Sequence, residues 1–176
     1  MDPDDWHPPI LTGQSGRVAG VECSAILYSN EALDAAVIVP MVYDHVGLRT
    51  YSTPLIDADP QGDPTEFGSA IEDGLEASRT FTAVRLSTRE AARVVNAEVA
   101  KRLRTRPAFF ERNVRVAWVT VRRDGRLLVR RVDVAAGRRD GRGFVPISET
   151  RATLGEPTIV ELGVAVCERL KTSPVG

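Results

Sequence analysis

The chain contains few of the residues on which most enzyme and metal sites depend. Its 176 residues include two histidines, His7 and His45, and two cysteines, Cys23 and Cys167, which lie 144 positions apart. Neither cysteine belongs to a CxxC pair, so no zinc-binding or redox motif is present in the sequence. A cysteine nucleophile would require His45 to meet one of these cysteines in the fold. We therefore predict no catalytic residue, no metal site and no cofactor.

Long apolar runs and a leader-like beginning are also missing. No stretch approaches the roughly 20 apolar residues of a membrane span, because Arg, Glu, Gly or Pro interrupts each valine-rich segment. The first nine residues are acidic and proline-rich, whereas a signal peptide is basic and then apolar. These features predict a cytoplasmic protein with no membrane partner.

Nucleotide-binding motifs are absent from the sequence as well. The segment Gly13-Gln14-Ser15-Gly16 consists of small and polar residues, but it has neither the GxGxxG pattern nor the GK[ST] ending of phosphate-binding loops. By itself it is typical of a plain turn.

What the sequence does contain is charge sorted along its length. Residues 1–78 hold 14 acidic and 2 basic residues, whereas residues 79–142 hold 18 basic and 6 acidic residues, although the net charge of the whole chain is −1. The segment from Asp57 to Glu76 carries seven carboxylates and no basic residue. If the fold preserves part of this separation, an acidic surface will attract and orient a basic partner.

The arginine-rich region 85–142 admits a different function, contact with a nucleic-acid backbone. Aromatic residues, which stack on bases in many such proteins, make up only 6% of the chain. The excess negative charge of residues 1–78 would also repel phosphate. The sequence therefore argues against nucleic acid as a partner.

Hydrophobic periodicity predicts an α+β fold in one domain, with a mainly antiparallel sheet of about five to seven strands and about three packed helices. We expect residues 1–9 to form a flexible acidic tail, residues 10–171 the domain, and residues 172–176 a flexible C-terminus. The predicted strands lie within residues 17–29, 36–43, 47–56, 81–86, 114–123, 126–134 and 144–147.

Three local signals refine the predicted sheet. Apolar residues alternate from Val21 to Leu27, which indicates a strand with one buried face. Pro40 cannot donate to a ladder, so the strand over 36–43 should lie at an edge or be broken at a bulge. Asp124-Gly125 favours a two-residue type I′ hairpin turn.

Helix starts are marked by capping patterns. Asp63, Pro64 and Glu66 combine a cap, a proline at the first helical position and an acidic residue three places after the cap. Ser87 and Glu90 repeat the pairing of a cap with an acidic residue three places later, and they predict a second helix that buries Ala91, Val95, Val99 and Leu103. Pro157 opens a third helix, which places Ile159, Leu162, Val166 and Leu170 on one face. Asn30 could cap a short helical turn through Ala36, while Gly68 and Gly74 should weaken the helix that follows Asp63.

Several features together resemble one known family. These are the start Met1-Asp-Pro-Asp-Asp-Trp, the chain length, the Ser87-Thr-Arg-Glu-Ala-Ala helix and the hairpin that contains Trp118. With them the chain resembles the immunity factors for the tuberculosis necrotizing toxin, mycobacterial cytosolic proteins that bind and block an NAD⁺-hydrolysing toxin. The resemblance covers the full chain but has no diagnostic short motif.

The resemblance implies a non-enzymatic antitoxin that binds its cognate toxin 1:1 and occludes the NAD-binding cleft. A cleft built for a pyrophosphate needs positive groups, so carboxylates and small loop residues suit its inhibitor. We therefore expect two candidate partner-binding segments. The first contains Asp57, Asp59, Gln61, Asp63 and Glu66, and the second contains Gly13, Gln14, Ser15 and Gly16. Two alternatives stay open, a secretion chaperone or adaptor and a nucleic-acid-binding regulator.

Overall fold

In the part of the chain that the structure describes, eight antiparallel strands and three α-helices are present, which confirms the predicted α+β class. The computed structural model describes residues 21–43, 49–79, 88–106, 110, 112–123, 129–141 and 143–175. The strands are β1 (Val21–Asn30), β2 (Ala36–Tyr43), β3 (Arg49–Tyr51), β4 (Ile56–Ala58), β5 (Val114–Arg123), β6 (Arg130–Asp140), β7 (Gly143–Pro146) and β8 (Ala152–Gly155), and the helices are α1 (Pro64–Arg79), α2 (Thr88–Arg102) and α3 (Ile159–Thr172).

The strands form one curled sheet in the order β3-β2-β1-β5-β6-β7. Two short strands lie beside this path, since β4 pairs with β2 and β8 pairs with β6. β8 was not predicted, because its four residues Ala-Thr-Leu-Gly show too short an alternation to be recognised. The β4 edge and the β7 edge lie at opposite ends of the sheet, separated by β1 and β5.

Both faces of the central strands are buried, so the expectation of a single buried face for the first strand was wrong. Ala25 and Leu27 pack with α1 and α3 on one face, whereas Ile26 and Tyr28 pack with α2 on the other. All four side chains have zero exposure. Each large apolar side chain buried in this way contributes about 1.5–3 kcal/mol. The helices therefore hold the sheet from two sides.

β2 is an interior strand, so the expectation of an edge or a bulge at Pro40 was also wrong. It pairs with β1 in an unbroken register that places Pro40 opposite Ala25. On its other side, β3 and β4 pair with separate ends of β2 and leave Pro40 between them. The carbonyl of Pro40 accepts from the Ser52 N–H at 2.8 Å. The proline therefore lies where its missing N–H interrupts neither ladder.

The capping signals located α1 correctly, while two other helix predictions require correction. α3 begins at Ile159 after a cap at Thr158, whose side chain forms a reciprocal capping box with Glu161. Ile159 is 42% exposed and so does not belong to the buried face of α3. Asn30 starts no helix, because its side-chain oxygen accepts from the Asp34 and Ala35 N–H groups and closes a β1–β2 turn instead.

Several predictions fall on residues outside the described part of the chain. These are the tail over 1–9, the strand over 81–86, the cap at Ser87, the Ala91 side chain and the Asp124-Gly125 turn. The described parts of the two hairpin arms are paired as expected, with Arg123 opposite Arg130. At the other end of the chain, Ser173 is buried and its hydroxyl donates to the Gly137 carbonyl at 2.9 Å.

α1 and α3 approach each other through two glycines. A Cβ added at Gly68 would lie 2.0 Å from the carbonyl oxygen of Ile159, and one added at Gly163 would lie 2.4 Å from that of Pro64. The first turns of the two helices thus make backbone contact. This contact places the segment that leads into α1 directly beside α3.

Candidate functional site

The acidic loop, residues 57–66, connects β4 to the first turn of α1 and contains the predicted site residues Asp57, Asp59, Gln61, Asp63 and Glu66. The carboxylate of Asp59 accepts from the Gln61 N–H at 2.9 Å. The side-chain amide of Gln61 donates to the Ala32 carbonyl in the β1–β2 turn at 2.6 Å. Pro60 is buried. These contacts give the loop a defined shape while its carboxylates stay in solvent.

Asp63 marks the junction of the loop and α1. Its carboxylate accepts from the Thr65 N–H at 2.6 Å, and its main-chain carbonyl accepts from Phe67 at 3.0 Å. The hydrogen bond from the Thr65 backbone lowers the pKa of Asp63 below its usual 3.8. The positive end of the α1 dipole stabilises the same charge. Asp63 is therefore ionised throughout the neutral range.

The arginine-rich part of the chain neutralises some of the acidic segment. Asp57 pairs with Arg102 at 3.3 Å, and Glu72 pairs with Arg130 at 2.6 Å. Burial lowers the pKa of Arg102, but the hydrogen bond to Glu98 and the charge of Asp57 outweigh it, so that pKa is raised. Of the predicted contact residues, Asp57 is thus already engaged within the molecule, although its side chain is 70% exposed.

Three carboxylates of the loop have no such compensation. Asp59, Asp63 and Glu66 are exposed, and none forms an ion pair with another described residue. Together with Asp57, they line an acidic groove of about 210 Å³. This volume is below the roughly 300–1,000 Å³ of sites that enclose a small ligand. The acidic groove is therefore smaller than sites that enclose a small ligand, and its four carboxylates favour a positively charged group.

A second groove lies on the other flank of the same loop, between the loop and α3. It has a volume of about 440 Å³ and is lined by Pro60, Gln61, Gly62, Pro64, Phe67, Gly163, Val164, Cys167, Glu168 and Lys171. We call it the α3 groove. Gly62 and Phe67 line both grooves, so the two are adjacent and share these residues.

Sequence reasoning missed the α3 groove, although a signal for it exists. Val164 lines this groove, and it is an apolar residue that lies off the buried stripe of α3 and is 47% exposed. An exposed apolar residue beside a recess is a signal for an interaction surface. The second predicted segment, Gly13, Gln14, Ser15 and Gly16, lies outside the described residues.

Among the described residues, no group of three or more His, Cys, Asp and Glu side chains is placed to hold a metal ion. Within the same part of the chain, no helix is both long and apolar enough to cross a membrane.

Part of the arginine-rich region is used within the protein. Arg115 donates to the carbonyls of Glu31, Lys171 and Ser173, and Arg122 pairs with Asp133 at 3.1 Å. Arg102 and Arg130 are engaged with the acidic segment, as described above. Guanidinium groups held by carboxylates and carbonyls are poorly placed to track a phosphate backbone.

Comparison with known proteins identifies a shared fold but no family. No family model and no curated protein matches the chain. Its fold is similar to that of a protein of unknown function from Neisseria meningitidis, with a TM-score of 0.66 and 15% identity over 93% of this chain and 100% of that one. It is also similar to a chain in the CdiA-CT/CdiI toxin and immunity complex from Yersinia pseudotuberculosis, with a TM-score of 0.62 and 12% identity over 85% of this chain and 95% of that one.

Proposed function

We propose that the protein is a cytoplasmic immunity protein that binds a toxin and blocks it, without chemistry of its own. The observation that carries the proposal is the acidic loop, in which Asp59, Asp63 and Glu66 are exposed and uncompensated by described basic residues. The fold supports it, because a chain of similar fold occurs in a toxin and immunity complex. The target, taken from the family that the sequence resembles, is an NAD⁺-hydrolysing toxin.

The geometry of the loop suits insertion into a cleft that binds pyrophosphate. Such a cleft presents positive groups and backbone donors, and exposed carboxylates satisfy both. The loop is already ordered by its bonds to Ala32 and within Asp59-Gly62, so binding does not bear the full entropy cost of ordering it. Its negative charge also speeds capture of a basic surface. The loop is therefore proposed to occupy the NAD site and exclude the substrate.

The direct test is to add the purified protein to a toxin of the tuberculosis necrotizing type and follow NAD⁺. We expect hydrolysis to stop at one equivalent, with 1:1 stoichiometry by calorimetry. Complex formation with continued hydrolysis would instead support a chaperone or adaptor. Retardation of duplex DNA that weakens with salt would support the nucleic-acid alternative.

Charge variants test the loop. Asp59→Asn with Glu66→Gln keeps the turn and helix geometry while it removes two charges, and Asp59→Lys with Glu66→Lys reverses them. Like charges placed opposite each other cost several kcal/mol, so we expect the reversed variant to lose about a hundredfold or more in toxin affinity and the neutral variant to fall between it and the wild type.

A matched control changes net charge by the same amount elsewhere. Asp140 and Glu149 are exposed at the end of β6 and just after β7, by the opposite edge of the sheet. Asp140→Lys with Glu149→Lys should bind within a few-fold of the wild type at physiological salt, where distant charges are screened. Equal losses in the two reversed pairs would reject the acidic loop as the contact.

A further inference from the structure

The α3 groove lies outside the acidic groove, and the charge argument does not use it. Its floor and walls include Phe67, Val164, Cys167 and the buried Pro60, so it offers mainly apolar contact. Its volume of about 440 Å³ falls within the range of sites that enclose apolar ligand groups. An apolar recess of this size on a surface otherwise rich in charge indicates a binding position.

Charge around the recess restricts what it can bind. The acidic groove opens on the other side of Gly62 and Phe67, with Asp59, Asp63 and Glu66 at its rim. On α3 itself, Glu168 and Lys171 are paired with each other at 3.4 Å and contribute no net charge. A segment that fills the α3 groove therefore lies beside carboxylates that form no ion pair with any residue the structure describes.

We infer that the α3 groove binds an apolar side chain of the toxin that lies next to a lysine or arginine, with the basic residue placed in the acidic groove. This inference rests on the proposed function and adds the chemistry of the contact. The acidic loop then has both flanks in the interface, one against the basic residue and one against the apolar residue. Buried apolar anchors of this kind carry a large share of binding energy in protein interfaces.

Two exposed valines on α3 provide a matched pair of variants. Val164 lines the α3 groove, whereas Val160, one turn earlier in the same helix, does not. Their exposures are nearly equal, at 47% and 45%. Glutamine is a good helix former and carries no charge, so Val164→Gln and Val160→Gln should fold alike. We expect Val164→Gln to weaken toxin binding about tenfold or more and Val160→Gln to leave it within about threefold.

The charge of the bound segment is tested at the same position. If the apolar side chain is accompanied by a basic one, Val164→Arg should bind more weakly than Val164→Glu, and the difference should shrink as salt rises. The reverse order would contradict a basic neighbour.

Cys167 supplies a readout that is independent of enzyme inhibition. It lines the α3 groove and is partly exposed, whereas Cys23 is 3% exposed, so a maleimide should modify Cys167 selectively. With toxin bound, we expect alkylation of Cys167 to slow at least tenfold. Mass spectrometry of the modified peptide gives the rate, and sedimentation of the free protein shows whether a second copy already covers the groove.

The outcomes separate this inference from the function on which it rests. Two results would refute binding at the α3 groove and leave the immunity function standing. In the first, the toxin is bound and inhibited while Cys167 reacts as fast as in the free protein. In the second, Val164→Gln and Val160→Gln have equal effects on toxin binding. Protection of Cys167 in the absence of toxin would also overturn binding at the α3 groove, in favour of self-association. If the toxin does not bind the wild-type protein at all, both proposals are wrong.

Discussion

The contact between α1 and α3 gives a sharp stability prediction at Gly163. A methyl group there would meet the carbonyl oxygen of Pro64 at 2.4 Å and the backbone nitrogen of Gly68 at 3.1 Å. Side-chain carbons essentially never come closer than 3.0 Å to such atoms. Since the obstacle is backbone, neither partner has a rotamer that relieves the clash. Gly163→Ala should therefore force the first turns of the two helices apart.

Two opposing effects set the magnitude of the change. Alanine is favoured over glycine in a helix by about 1 kcal/mol, which stabilises the variant. Overpacking in a rigid contact costs about 1–3 kcal/mol, and a clash with backbone belongs at the upper end. We expect a net loss of about 2 kcal/mol in the free energy of unfolding. For a chain of this size, that loss lowers Tm by about 4–8 °C.

Urea unfolding followed by circular dichroism measures this loss, with Gly155→Ala as the control. A Cβ at Gly155 meets nothing within 4 Å, so that variant should unfold within about 0.5 kcal/mol of the wild type. Gly68→Ala, with its 2.0 Å approach to Ile159, should lose at least as much as Gly163→Ala. A Gly163→Ala protein as stable as the wild type would refute the reasoning, because helix propensity would then outweigh the contact.

Three further predictions concern the attachment of α3, the start of α1 and the link between α1 and β6. Ser173→Ala leaves a buried N–H on β5 and a buried carbonyl on β6 without their hydroxyl partner. We expect it to lower the free energy of unfolding in urea by about 1–3 kcal/mol. Thr172→Ala, at an exposed position, should change that free energy little. The pKa of Asp63 in the folded protein lies below 3.8, so the ionised carboxylate stabilises the fold above that pH, and this stabilisation is lost as pH falls through the folded pKa. Asp63→Asn keeps the helix cap without the charge. The difference in Tm between this variant and the wild type should therefore vanish in acid. A double-mutant cycle with Arg130→Met and Glu72→Gln should give a coupling of about 1 kcal/mol that decreases with salt, and zero coupling at low salt would contradict a stabilising pair.

The parts of the fold that were predictable are those set by neighbours in sequence. α1 starts where Asp63, Pro64 and Glu66 indicate, because capping depends on residues within one turn. The position of Pro40 was mispredicted because it depends on β3 and β4, which bond to opposite ends of β2. The glycines of α1 were expected only to weaken the helix, since no sequence pattern indicates that Ile159 lies 2.0 Å from a Cβ at Gly68.

The candidate site likewise has one part that the sequence predicts and another that depends on long-range contacts. The density of carboxylates between Asp57 and Glu76 is a property of the sequence, and it identified the acidic loop. Which of these carboxylates are compensated is decided by long-range contacts, such as that of Asp57 with Arg102, 45 positions away. The α3 groove likewise forms only because α3 packs against a loop about a hundred residues earlier in the chain.

The glycine contact connects the stability of the fold with the proposed interface. Pro64, whose carbonyl oxygen approaches Gly163, follows Asp63 directly and also lines the α3 groove. A separation of α1 from α3 by a fraction of an ångström would therefore move the carboxylates of the acidic loop relative to Val164. In the proposed complex, the two grooves bind an apolar residue and an adjacent basic residue of the toxin at the same time, so a change in their spacing weakens at least one of the two contacts. Gly163→Ala should consequently weaken toxin binding even at temperatures where the variant is fully folded, whereas Ser173→Ala, which acts at the far end of α3, should change stability alone.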